Sequence, residues 1–296
     1  MSTYGTIKLR DGTSVPGIAY GVGTSLFRQE CVQEVKAALS VGFRHLDMAE
    51  IYETSGSVGT AIKESGIKRD ELFITTKAGE GMKDLKKALD KELSALGVDS
   101  VDLWLLHFPH VLREDPDFPP MQELWRQMIE CKKSGKAKAI GVSNWRIRDL
   151  QKIIDSAPEE LPAINQIEYH PFLYNASEDV VQFCRKYEIA IAAYSPLAPI
   201  TRFSGSDFDR ELEDVAAAIS DRFGKEVNGS QVLLKLARQR GCVVVTTSNK
   251  EWRSKEMLAA GALPDLTAEE QEKLVRAATP TRRAFEEHMG QLDLEY

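Results

Sequence analysis

Short runs that are apolar at successive positions alternate with stretches of helical periodicity along almost the whole chain. The runs at 44–47, 72–77, 101–107, 137–143, 164–168, 190–195 and 242–246 are rich in Val, Ile and Leu and leave no polar face. Strands buried on both sides, as in a parallel sheet covered by helices, read this way. A run at 17–22 precedes them. Helical spacing fills the intervals at 29–40, 58–65, 82–96, 121–134, 147–156, 177–187 and 230–240. In the first of these, Val32, Val35, Ala38 and Leu39 share a face; Ser57 is the expected N-cap of the second. Eight strand and helix units favour a (β/α)8 TIM barrel over a doubly wound sheet. Residues 6–9 and 14–16 flank Asp11-Gly12, a strong turn signal, and are expected to form an N-terminal β-hairpin closing the barrel bottom.

Two segments break the rhythm. The stretch 108–120 holds four prolines, and 197–209 is loop-like before a helix expected at 210–223. Both follow strands, so in a barrel both lie over the mouth where the strands end. A last helix is expected at 268–278, then a polar end. With no composition shift, repeat or low-complexity stretch, residues 1–296 read as a single domain.

A net charge of −7 argues against nucleic acid or an anionic membrane as a partner. Cys31, Cys131, Cys184 and Cys242 are scattered and form no CxxC pair, so they read as buried free thiols. No apolar run approaches the ~18 residues of a membrane span, and a cytoplasmic, reduced protein is expected, monomeric by default. There is no metal-ligand cluster. Gly17-Ile-Ala-Tyr-Gly-Val-Gly is not a dinucleotide fingerprint, because its glycines are misordered and no helix opens there.

The chemistry lies at the strand tips. One strand ends in Asp47, the next in Lys77, the next in His107. Later tips carry Ser143-Asn144, Asn165-Gln166-Ile167-Glu168 and Tyr194-Ser195-Pro196, and Tyr52 follows Asp47 in a loop. Alone, Asp47 and Lys77 read equally as a buried structural pair, Tyr52 as a packed ring and His107 as a core histidine. His45, His110 and His170 keep that core reading. Apolar strands rarely end in a lysine for packing, and in a barrel all these tips converge on one mouth.

Taken in order, Asp47 with Tyr52, Lys77, His107, Ser143-Asn144, Gln166 and Tyr194-Ser195-Pro196-Leu197 resemble an aldo-keto reductase over nearly the whole chain. The segment 246–250 is similar to the fungal conjugated-ketone reductases of that family. The resemblance implies a catalytic tetrad of Asp47, Tyr52, Lys77 and His107 that reduces a small carbonyl substrate with NADPH. Tyr52 is then the proton donor, with Lys77 expected to lower its pKa, Asp47 to hold Lys77 and His107 to orient the carbonyl. It also implies that Ser143, Asn144 and Gln166 hold the nicotinamide carboxamide and that Tyr194 stacks on the ring. Thr24, Ser195 and Leu197 are further cofactor positions.

At the phosphate end the chain departs from the family pattern. Thr247-Ser248 replaces Lys-Ser, and Met257 replaces Asn, while Arg253 and Glu256 keep their positions. Lys250 restores a cation, so Ser248, Lys250 and Arg253 favour NADPH over NADH; the alternative is a helix N-terminal turn with solvated Lys and Arg. Phe27, Phe108 and Trp145 are candidates to line the substrate mouth, although Trp145 equally suits packing under a helix. Aromatic walls and the narrower resemblance favour conjugated or vicinal dicarbonyls; an aldose or xylose reductase and a non-catalytic nucleotide sensor are the alternatives.

Overall fold

Eight parallel strands close on themselves in the computed structural model, which describes residues 4–109, 117–285 and 288. They are β3 (Ile18–Gly21), β4 (His45–Asp47), β5 (Phe73–Ala78), β6 (Val101–Leu106), β7 (Ala137–Ser143), β8 (Ile164–Glu168), β9 (Ala190–Tyr194) and β10 (Val243–Thr246). Each pairs with its sequence neighbour, and β10 returns to β3 through Val245 beside Ala19, which leaves the barrel no edge.

Alternation along each strand sorts the core in two. Ala19, Phe73, Leu103, Leu105, Ala139, Ala192, Val243 and Val245 pack inside the barrel. Residues one position away, such as Ile74, Trp104, Ile140 and Val244, pack outward under the helices. The hairpin of β1 (Thr6–Lys8) and β2 (Ser14–Pro16) sends Leu9 and Val15 into the inner cluster, so it closes the bottom as expected. All four cysteines are buried free thiols.

The main differences lie in helix starts. The helix expected from residue 58 is Ser55–Ser65, so Ser57 lies within its first turn and caps nothing. The chain leaves a 3-10 turn, Glu50–Tyr52, through a left-handed Glu53, which starts the helix earlier. The helix expected from residue 210 is Asp207–Phe223, and a short helix, Ala198–Thr201, lies within the preceding stretch. Helix Glu251–Ala259 begins right after Lys250, so the helix N-terminal turn given as the alternative reading of this segment is present. His110 lies outside the described residues. Among the described residues, no helix is long and apolar enough to cross a membrane.

Candidate active site

Interior-facing positions at the strand ends assemble the site. Asp47 closes β4, and Lys77 faces the same interior from β5. Lys77 has no exposed surface; its Nζ donates to Asp47 Oδ1 at 2.6 Å and to the Met48 carbonyl at 2.7 Å. Gln166, from β8, donates its amide to Asp47 Oδ2 at 2.7 Å. The carboxylate is thus held at both oxygens.

Tyr52 ends the 3-10 turn, and its backbone carbonyl accepts from Arg28 at 2.9 Å. The Lys77 ammonium stands 5.3 Å from the Tyr52 ring centroid. Gly23 makes room for the ring: a Cβ there would lie 2.9 Å from Tyr52 Cζ. Glu50, on the same turn, accepts from Gly79 N at 3.1 Å and Gly81 N at 2.9 Å. It ties the Tyr52 turn to the loop that follows Lys77. His107, just beyond β6, sets its ring edge-on to Tyr52 at 5.8 Å and stacks on Phe108 at 3.8 Å.

Burial drives the Tyr52 pKa above its usual value, and Lys77 offsets that only in part. The expected lowering by Lys77 is therefore corrected: the pull is present, but desolvation of a phenolate outweighs it. Burial works against the Lys77 ammonium too, yet the charges and hydrogen bonds of Asp47 and Tyr52 raise its pKa overall. At neutral pH the site holds a protonated phenol beside a charged lysine.

Ser143 and Asn144 close β7 and join the same network. Ser143 Oγ donates to the Gln166 carbonyl at 2.9 Å, and left-handed Asn144 donates its backbone N–H to that carbonyl, also at 2.9 Å. Asn144 Oδ1 accepts from the Tyr194 hydroxyl at 2.9 Å. Ser195, also left-handed, and Leu197 follow at the rim, each partly exposed, and Thr24 is exposed on the loop after β3. Beyond β10, Ser248 Oγ accepts from Lys250 N at 3.0 Å at the start of helix Glu251–Ala259. Lys250 and Arg253 are exposed, and the Arg253 guanidinium lies 5.0 Å over Trp252. Glu256 is partly buried against Asn228.

Phe27 stands at the rim, 40 % exposed and edge-on to Tyr52 at 6.0 Å. Phe108 lies against His107. Trp145 does not line the mouth: it has no exposed surface and belongs to the core outside the barrel. The left-handed turn at Asn144 carries it there, and Asn165 pins its backbone, donating to the Trp145 carbonyl at 2.8 Å. Two mouth residues escaped the sequence reading. Phe285 lies edge-on to Tyr194 at 6.1 Å, and His288 Nδ1 is 2.9 Å from the Tyr194 hydroxyl. His288 also lies 4.9 Å from Phe108, ring to ring. They come from the polar end, where no periodicity marks them.

The aldo/keto reductase family model matches residues 4–274, and the chain belongs to that family of oxidoreductases. It is 34 % identical over 287 residues to the NAD/NADP-dependent indole-3-acetaldehyde reductase of Schizosaccharomyces pombe, covering 95 % of this chain and 98 % of the relative. It is 36 % identical over 280 residues to the NADPH-dependent alpha-keto amide reductase of Saccharomyces cerevisiae, covering 90 % and 88 %. Among solved structures it resembles an aldo-keto reductase of Bombyx mori in complex with NADP, with TM-score 0.78, 28 % identity and coverage of 96 % and 97 %.

Proposed function

We propose that this chain is an NADPH-dependent carbonyl reductase that turns conjugated or vicinal dicarbonyls into hydroxy compounds, with Tyr52 as proton donor. The observation that carries the reading is the Tyr52 ring set 5.3 Å from the ammonium of a fully buried Lys77 that Asp47 fixes at 2.6 Å. The mouth suits a nicotinamide. Ser143, Asn144 and Gln166 present a hydroxyl and two amides beside the partly exposed Tyr194. That set matches the donors and acceptors of a carboxamide and one ring face. Ser248, Lys250 and Arg253 offer a hydroxyl and two exposed cations to a 2′-phosphate, with Thr24, Ser195, Leu197 and Glu256 between and around them.

When bound, NADPH supplies the hydride to the carbonyl carbon. Tyr52 passes its proton to the carbonyl oxygen, and the phenolate left behind is stabilised by the Lys77 ammonium. Asp47 keeps that ammonium charged and in place. His107, edge-on to Tyr52, donates to the same oxygen and orients it. Phe27 and Phe108 give the substrate apolar walls, which suits a dicarbonyl better than a sugar bearing many hydroxyls. The relative named as an alpha-keto amide reductase supports the same class. The chain is taken to act as one barrel unit, 1–296, and as a monomer; size-exclusion chromatography checks the latter.

The test is steady-state oxidation of NADPH, and separately NADH, with an α-dicarbonyl, an aromatic aldehyde and xylose, beside Tyr52→Phe. Fast NADPH-dependent turnover of the dicarbonyl, lost in the variant, is the expected result. Preference for xylose would overturn the substrate class. Cofactor binding without turnover of any carbonyl would overturn the enzyme reading.

A further inference from the structure

Glu168 ends β8, is 1 % exposed and takes no part in the network around Lys77 described above. Its carboxylate faces three donors. His170 Nε2 lies 2.9 Å from Oε1, Ala284 N donates to Oε1 at 2.6 Å, and Phe285 N donates to Oε2 at 3.3 Å. Two of these are backbone groups of a segment 116 and 117 residues further along the chain. Carboxylate to backbone N–H bonds are charge-assisted and are stronger out of water.

The fastened segment runs across the mouth. Upstream, Arg282 lies 5.4 Å over Phe172 and 5.9 Å over Phe203, rings from the loops after β8 and β9. Downstream, Phe285 and His288 stack at 4.9 Å with their planes 4° apart. That pair stands against Tyr194 and Phe108, next to His107.

We infer that Glu168 is a positioning residue that fixes the substrate wall, clamping the backbone at Ala284 and Phe285 so that Phe285 and His288 face Tyr194 and Phe108. The inference rests on the reductase reading above. It adds a requirement to the site: a carboxylate inside the barrel sets the place of the wall that stands beside Tyr194 and Phe108. The clamp grips main chain, so it holds whatever side chains the segment carries. The wall it places presents the stacked rings of Phe285 and His288. A flat wall of that kind fits the planar face of a conjugated or vicinal dicarbonyl.

Glu168→Gln tests the clamp. The variant keeps one acceptor oxygen but turns an NH2 toward a donating N–H, so one of the two main-chain bonds is lost. Ala284→Pro removes the other partner without touching the barrel. The expected result for both variants is a KM for the dicarbonyl raised roughly tenfold, in line with one lost charged hydrogen bond. The kcat and the NADPH dissociation constant, the latter read by fluorescence titration, stay within about twofold. Hydrogen exchange at the amides of residues 284 and 285 quickens in Glu168→Gln. In a double-mutant cycle, Glu168→Gln added to His288→Ala raises KM by less than the product of the single effects. An unchanged KM in both single variants overturns the inference, as does a KM and a cofactor dissociation constant that rise together. Loss of folding in Glu168→Gln with a parent-like KM in Ala284→Pro also overturns it, leaving Glu168 a folding residue. A wild-type protein that binds NADPH but reduces no carbonyl fails the reductase reading. Exchange at 284 and 285 still reports on the clamp in that case.

Discussion

Gln166 and Asp47 meet across the barrel mouth at 2.7 Å, the side-chain amide donating to the oxygen that Lys77 leaves free. A residue proposed to hold the nicotinamide carboxamide is therefore also one of the two grips on Asp47, and through it on the proposed proton-transfer assembly. Gln166→Leu should weaken both functions at once. The expected outcome is an NADPH dissociation constant roughly tenfold higher and a kcat roughly tenfold lower, one hydrogen bond lost on each side. Fluorescence titration and steady-state kinetics on the same preparation check it; a change in binding alone would separate the two roles.

Asp47 and Lys77 form a buried ion pair whose halves do not stand alone. Asp47→Asn leaves an uncompensated ammonium with no exposed surface, and Lys77→Met leaves the carboxylate with Gln166 only. Each single change should cost about 3–5 kcal/mol of stability, and the double change less than either. Chemical denaturation measures this directly. Activity should be lost in all three, so stability and turnover part company in the double variant.

Tyr52 titrates above its ordinary range because burial outweighs Lys77. A proton donor works while it is protonated, so carbonyl reduction should show no loss from this group between pH 6 and ~9, and should fall only above ~10. Alcohol oxidation needs the phenolate and should rise with pH across the same interval. A kcat profile in each direction checks the pair of slopes.

His45 is buried against Thr75, which lies 2.8 Å from its Nε2, and burial lowers its pKa to about 4. Unfolded, it titrates near ~6.5, so as pH falls the unfolded chain takes up a proton that the folded chain refuses. Stability is complete above ~6.5 and is lost progressively down to about 4, by about 3 kcal/mol at the limit. Melting temperatures of the parent and His45→Gln should converge over that window and run parallel below it.

How much of this was legible depended on how local the cause was. Asp47, Lys77 and His107 end strands whose apolar pattern is continuous, so position and chemistry could be read together. Trp145 could not be placed, because an aromatic after Asn144 serves the mouth or the core according to one backbone angle. The helix at 251–259 showed only as an alternative N-terminal turn, because Ser248, Lys250 and Arg253 suit both a phosphate and a helix start. Ser57 looked like a cap only because the left-handed Glu53, which starts the helix earlier, leaves no trace in composition. Glu168 was read as part of a strand tip and no more. Its two main-chain partners lie more than a hundred residues away in a segment without periodicity, so only the folded chain brings them together.

Arg253 and Lys250 stand exposed at the start of helix Glu251–Ala259, where a 2′-phosphate would be met. Arg253→Ala should raise the NADPH dissociation constant roughly ten- to a hundredfold and leave NADH within about twofold. The ratio of the two dissociation constants is the measurement. It should shrink in added salt for the parent and hardly change for the variant.

Electrophilic carbonyls, dicarbonyls above all, form adducts with amines, thiols and guanidiniums. Lys77 has no surface to offer them, and the four thiols are buried, with burial driving Cys31 and Cys131 up to about 11 and Cys184 and Cys242 to about 12. Thiolate, the attacking form, is scarce at such values. Arg253 has no such shelter. If the proposed dicarbonyl substrate and the proposed role of Arg253 hold, a protein exposed for long to that substrate would lose its grip on the 2′-phosphate well before it lost the lysine beneath Tyr52, and would age by drifting from NADPH toward indifference between the two coenzymes.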